Sequence, residues 1–127
     1  MKVRYLTLEE ILRLHFQIIE DYGGSHGVRD EGRIKSVVEA PQLIVFGEEL
    51  YPSLTEKAAV YLRNIIGDHP FSDGNKRTAV TVCGIFLIRN GSGIKADPKE
   101  LERFTIRVAT DHLSIAEIAD WLTHHCK

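Results

Sequence analysis

The sequence predicts an all-α protein: a compact bundle of about six helices around a central buried helix, with one short flap-like irregular segment. Three observations carry that prediction. Apolar residues recur three and four positions apart through most of the chain, the period of a helix with one buried face. Helix-capping residues stand just ahead of those stretches: Thr7 with Glu10, Asp30, Thr55, Asp97 with Pro98, and Ser114 with Glu117. Between positions 77 and 89, Ala79, Val80, Val82, Cys83, Ile85, Phe86, Leu87 and Ile88 leave no polar stripe, as expected of a helix enclosed by others.

The first helix starts at the Thr7–Glu10 capping box. It runs through Leu8, Ile11, Leu12, His15, Ile18, Ile19 and Tyr22, and Gly23-Gly24 ends it. Residues 25–29 form a loop. Asp30 caps a short helix with Ile34, Val37 and Val38 inward, stopped before Pro41. Residues 42–53 lack a helical period, and Gly47-Glu48-Glu49-Leu50-Tyr51-Pro52 reads as turn and strand. Thr55 caps a helix that uses Ala58, Ala59, Tyr61, Leu62, Ile65 and Ile66, and Gly67-Asp68 leads out of it. The apolar helix follows and closes at Asn90-Gly91. Asp97-Pro98 opens a helix burying Leu101, Phe104, Ile106 or Val108, and Ala109. The last helix buries Ile115, Ile118, Ala119, Trp121 and Leu122, with His124-His125 on a frayed end.

At 127 residues the chain reads as a single domain, 1–127, large enough for a real core. A net charge of −2, from 16 Lys+Arg against 18 Asp+Glu, gives no pull toward nucleic acid or an anionic membrane. A helix-turn-helix reading of residues 114–122 lacks the basic residues that contact phosphates. The longest apolar run falls short of the roughly 20 residues of a membrane span. Charges at Lys2, Arg4, Glu9 and Glu10 argue against a signal peptide, so a cytoplasmic protein is expected. Cys83 and Cys126 make no disulfide framework. Cys83 has no base at helical spacing, which argues against a thiol nucleophile. His15, His26, His112, His124 and His125 form no metal-ligand pattern.

The chemistry concentrates in His69-Pro70-Phe71-Ser72-Asp73-Gly74-Asn75-Lys76-Arg77, a loop feeding the apolar helix. Free backbone N–H groups at a helix start attract phosphate. Gly74 lets backbone approach a ligand closely. Asn75 is expected to cap the helix and position phosphate together, and Lys76 and Arg77 add fixed positive charge, with Arg able to grip phosphate oxygens in pairs. Cations at a helix N-terminus oppose its dipole, so their placement suggests an anionic ligand. His69 titrates nearest neutrality and is the natural base for a hydroxyl proton. Asp73 is either a helix cap or the hard oxygen ligand that Mg²⁺ prefers, and its neighbours favour the metal. Pro70 is expected to hold His69 extended, and Phe71 to pin the loop in the core. Arg29 and Asp30 have no role assigned by chemistry beyond the cap.

These residues resemble the signature of the Fic/Doc family, His-Pro-Phe-x-Asp-Gly-Asn-(Gly/Lys)-Arg. The continuation Lys76-Arg77-Thr78-Ala79 resembles its Doc (death-on-curing) toxin branch. Tyr22-Gly23-Gly24, the segment from Gly27 to Arg33, and Leu113 to Ala119 are similar to Doc segments too, so the resemblance spans essentially the whole chain. It implies a toxin of a type II toxin–antitoxin system, with a separate antitoxin whose disordered tail folds onto the helical surface. The adenylylating branch has Gly at the position of Lys76 and a second Arg at that of Val80. Both departures resemble Doc toxins, and imply transfer of the γ-phosphoryl of ATP to a Ser or Thr hydroxyl. Elongation factor Tu is the target the resemblance suggests, with arrested translation as the result. In that reading His69, Asp73, Lys76 and Arg77 are catalytic, Gly74, Asn75, Lys76 and Arg77 bind nucleotide, Asp73 holds Mg²⁺, and a flap around residues 47–53 aligns the target by strand addition. Adenylyl transfer is the alternative, and a non-catalytic antitoxin-binding module a second.

Overall fold

The computed structural model describes residues 2–127. Six α-helices form it: α1 (Leu8–Tyr22), α2 (Glu31–Glu39), α3 (Leu54–Asp68), α4 (Asn75–Arg89), α5 (Pro98–Thr110) and α6 (Ile115–His125). A 3₁₀ turn, Ala40–Gln42, carries the chain through Pro41 after α2. A two-stranded antiparallel hairpin follows, β1 (Ile44–Val45) against β2 (Glu48–Glu49), with Ile44 opposite Glu49 and Val45 opposite Glu48.

Local chemistry sets the helix starts. Thr7 and Ser114 close capping boxes with Glu10 and Glu117, each satisfying two otherwise unpaired backbone donors. Asp30 and Asp97 cap α2 and α5. The third capping box corrects the reading of Thr55. Ser53 is the cap of α3, accepting from the Glu56 N–H at 3.1 Å while its own N–H donates to the Glu56 carboxylate at 3.2 Å. Ser53 with Glu56 has the spacing of a capping box, which Thr55 lacks. Replacing Ser53 by Ala is expected to lower stability by about 1 kcal/mol, readable as a lower urea midpoint with an unchanged slope.

Two helices share the centre. In α4, Thr78, Ala79, Val82, Cys83, Phe86 and Leu87 are buried, while Ile88 stays 67% exposed near its end. In α3, Ala58, Ala59, Val60, Tyr61, Ile65 and Ile66 are buried, and α3 packs on α4, α6, α2 and α5. The Tyr61 hydroxyl accepts from the Leu6 N–H, which brings the chain's start onto this pair. At the far end of α4 the buried Asn90 side chain donates to the Arg4 and Phe86 carbonyls and accepts from the Arg4 N–H. In α5, Val108 is buried and Ile106 is exposed, which decides between the two. The helix α6 continues to His125. The His125 ring stacks on Trp121 at 3.8 Å, and Cys126 bridges to Ile94.

The hairpin is rooted at the N-terminal end of α3. The buried Lys57 ammonium donates to the Glu49 carboxylate at 2.9 Å and also binds the Tyr51 carbonyl. At its tip Phe46 and Gly47 both have positive φ, 51° and 80°, as a two-residue hairpin turn requires. The 15 residues of α3 span about 22 Å, so the hairpin and His69 lie at opposite ends of one helix. The hairpin overlaps the short irregular segment expected at residues 47–53. The segment lying against the loop is residues 24–30, on the other side of α2.

Candidate active site

The site is built where α3 ends and α4 begins. His69 closes α3 in the left-handed region, φ 48° and ψ 60°. Its position before Pro70 had suggested extended backbone. The demand of a helix C-terminus prevails, and His tolerates this conformation better than most side chains. A left-handed non-glycine residue stores local strain, as functional loops often do. The His69 side chain is exposed, with Nδ1 3.4 Å from Asn75 Nδ2. That contact is long enough to leave either ring nitrogen available.

Asn75 ties the loop into a closed turn. Its buried carboxamide accepts from the Phe71 N–H at 3.1 Å and donates to the Phe71 carbonyl at 3.0 Å. It therefore does not cap α4. The cap position is Gly74, φ 74°, with no side-chain capping bond. Gly74 is needed for that φ and for space: a Cβ there would come within 3.0 Å of Ile19. The first backbone N–H groups of α4 thus open toward the cleft.

Asp73 faces the same mouth. One carboxylate oxygen accepts from the Gly74 N–H at 2.9 Å and the other from the Ser25 N–H at 3.2 Å. Each oxygen keeps a lone pair, and the group is exposed. A lone carboxylate with open surroundings suits Mg²⁺, which fills its remaining positions with water and phosphate. Among the described residues no cluster of three His, Cys, Asp or Glu could form a protein cage for a metal. Lys76 and Arg77 are exposed on the first turn of α4, the Arg77 guanidinium lying 3.9 Å from the centre of the Tyr22 ring.

The loop is braced from residues that the sequence pattern left unassigned. The Pro70 carbonyl accepts from the Arg29 and Asp30 N–H groups at 2.8 and 3.2 Å. Ser72 donates its N–H to the Gly27 carbonyl, and Val28 bridges Phe71. Arg33 donates to the Asp68 carbonyl at 2.7 Å. So Arg29 and Asp30 act through their backbones, and Asp30 caps α2 besides. Phe71 is buried as expected, and its ring stacks on His15 at 3.7 Å. His15 Nε2 donates to the Asp73 carbonyl at 2.9 Å. Helical spacing placed His15 on the buried face of α1; only the packed structure shows it holding Asp73.

Burial lowers the His15 pKa below its ordinary 6.5, with the Asp73 carbonyl partly opposing the shift. The unfolded chain therefore takes up this proton more readily than the folded one. Stability from this group is complete above about pH 6.5 and declines as the pH falls below it. The wild type is expected to lose stability between about pH 7 and pH 5, and His15→Gln to show a shallower slope. Urea titrations of both at the two pH values check this. Burial pushes the Cys83 thiol up to about 12, which leaves it protonated and unreactive.

These elements wall a cleft of about 1130 Å³. His69, Asp73, Gly74, Asn75, Lys76 and Arg77 form one side. The other side comes from α5 and the turn after it, including Leu101, Thr105, Ala109 and His112. No hairpin residue lines it.

A histidine closing one core helix, a carboxylate in the next turn and a second helix start without a side-chain cap, with two cations on its first turn, meet on one wall of the cleft. The chain belongs to the Fic/Doc family, whose profile (Fic/DOC family) matches residues 5–87. Within that family it is 38% identical over 120 residues, 94% of each chain, to the protein named Protein kinase doc of Escherichia phage P1. It is 42% identical over 76 residues to Toxin Doc of Mycolicibacterium smegmatis, covering 60% of this chain and 58% of that one. Among the described residues no helix is long and apolar enough to cross a membrane.

Proposed function

We propose that this protein is the toxin of a type II toxin–antitoxin system and a protein kinase that passes the γ-phosphoryl of ATP to a Ser or Thr hydroxyl. The observation that carries the reading is the convergence of His69, Asp73, the open start of α4, Lys76 and Arg77 on one wall of a single cleft. The similarity to a relative named a protein kinase supports it. The cleft has the size of nucleotide-sized ligand sites, which run to about 1,000 Å³.

Phosphoryl transfer needs placement and charge neutralisation more than covalent help. His69 accepts the proton of the target hydroxyl as its oxygen bonds to the γ-phosphorus, and ADP leaves with the bridging oxygen. The N–H groups at the start of α4, with Lys76 and Arg77, face the oxygens on which charge develops. Asp73 would hold Mg²⁺, which would supply neutralisation of phosphate charge. Asn75 keeps the turn closed and so holds His69 and the start of α4 in register.

Lys76 in place of Gly and Val80 in place of Arg favour this reading over adenylyl transfer, since Val80 offers the cleft no cation. The target we propose is elongation factor Tu, with arrested translation as the consequence and the cytoplasm as the place. A separate antitoxin is the proposed partner. The test is a cell extract given Mg²⁺, purified protein and ATP labelled at the γ- or the α-phosphate. Label passing to one protein only from γ-labelled ATP, and lost with His69→Ala, is the expected result. Label passing only from α-labelled ATP would make this an adenylyltransferase.

A further inference from the structure

Arg77 is held in an unusual way for a charged residue at the mouth of a cleft. It takes part in none of the ion pairs among the described residues. Its guanidinium instead lies over the ring of Tyr22 at 3.9 Å. Tyr22 is the last residue of α1 and is 64% exposed, so the core does not account for its large side chain. Both residues line the cleft.

The backbone fixes where that ring stands. Gly23 ends α1 directly after Tyr22, with φ 87° and its N–H on the Ile19 carbonyl. Two residues on, Ser25 is bonded to the Asp73 carboxylate. The end of α1 is thereby pinned to the same turn that carries Arg77. A ring and a carboxylate would hold an arginine with different consequences. A carboxylate takes the N–H edge of the guanidinium and cancels its charge. A ring takes the flat face and leaves the N–H edge and the charge free. That edge is what pairs with two phosphate oxygens at once.

From this we infer that Tyr22 is a positioning residue that presents Arg77 to the phosphates of the nucleotide. The inference rests on the proposed nucleotide-binding reading of the cleft. Its test uses the full chain and equilibrium ATP binding by calorimetry, with the ATP dependence of transfer measured in parallel. Tyr22→Leu removes the ring and keeps apolar bulk, whereas Tyr22→Phe keeps the ring. Tyr22→Leu is expected to weaken ATP binding about twofold to fivefold, the value of an exposed cation–ring contact. The KM for ATP rises in step, kcat falls as well because Arg77 faces oxygens on which charge develops, and the melting temperature holds. Tyr22→Phe is expected to bind ATP as the wild type does. In an Arg77→Ala background the Tyr22→Leu effect is expected to vanish, because the two act as one unit. Unchanged ATP affinity in Tyr22→Leu would overturn the inference, as would a full-sized effect in the Arg77→Ala background. Affinity is read without turnover, so a wild type that binds ATP but transfers nothing would defeat the kinase reading alone, and the same comparison would still decide Tyr22.

Discussion

His69→Ala is expected to slow transfer by at least about 10²-fold while leaving a folded protein. The side chain is exposed, and its ring hydrogen-bond contact is the Asn75 carboxamide at 3.4 Å, so little packing is lost. What Ala does meet is the left-handed backbone at φ 48°, at about 1–2 kcal/mol. His69→Asn separates the two effects, because Asn adopts that backbone readily and supplies no base. Both variants are expected to be inactive, with Asn melting closer to the wild type. Thermal melts beside single-turnover transfer measure both. An active His69→Asn protein would remove the general base from the mechanism.

Gly24→Ala is expected to lower activity about 10²-fold by moving Asp73, a displacement of about an ångström at a reacting group being enough. Gly24 has φ 114°, and a Cβ there would stand 2.8 Å from the Asp73 Oδ2 atom and 3.3 Å from Ile19 Cδ1. Either the carboxylate swings away or the turn shifts. Gly23→Ala is the control that separates geometry from strain. Its φ of 87° penalises Ala as well, but nothing lies within 4 Å of the added carbon. Both variants are expected to lose stability, about 1–3 kcal/mol, and only Gly24→Ala to lose transfer out of proportion. Comparable activity in the two would show that Asp73 tolerates displacement.

Some of this was legible from sequence and some was not, for a physical reason. The candidate site groups sit in nine consecutive positions, 69–77, so their proximity needed no fold. The helices announced themselves through spacing and caps, and the error at Thr55 was one of two residues. His15 was hidden because its partner, the Asp73 carbonyl, is 58 positions away. The same holds for Ser25, 48 positions from Asp73, and for the α5 wall of the cleft. A backbone carbonyl leaves no mark in a residue pattern. The turn of the hairpin was legible at Gly47, but its anchoring on Lys57 through Glu49 and Tyr51 was not. His69 shows a local rule losing to a neighbouring one, the helix end outweighing Pro70.

Phosphoryl transfer and adenylyl transfer would both use His69 and Asp73, and they differ in what they leave behind. The direct measurement is therefore the small product released as the purified protein modifies its target with ATP and Mg²⁺. Transfer of the γ-phosphoryl releases ADP, and transfer of the adenylyl group releases pyrophosphate. The account predicts ADP, appearing in step with modified target and absent with His69→Ala. Pyrophosphate in step with modified target would contradict it, and would mean that Lys76 and Val80 do not set which phosphate reaches His69.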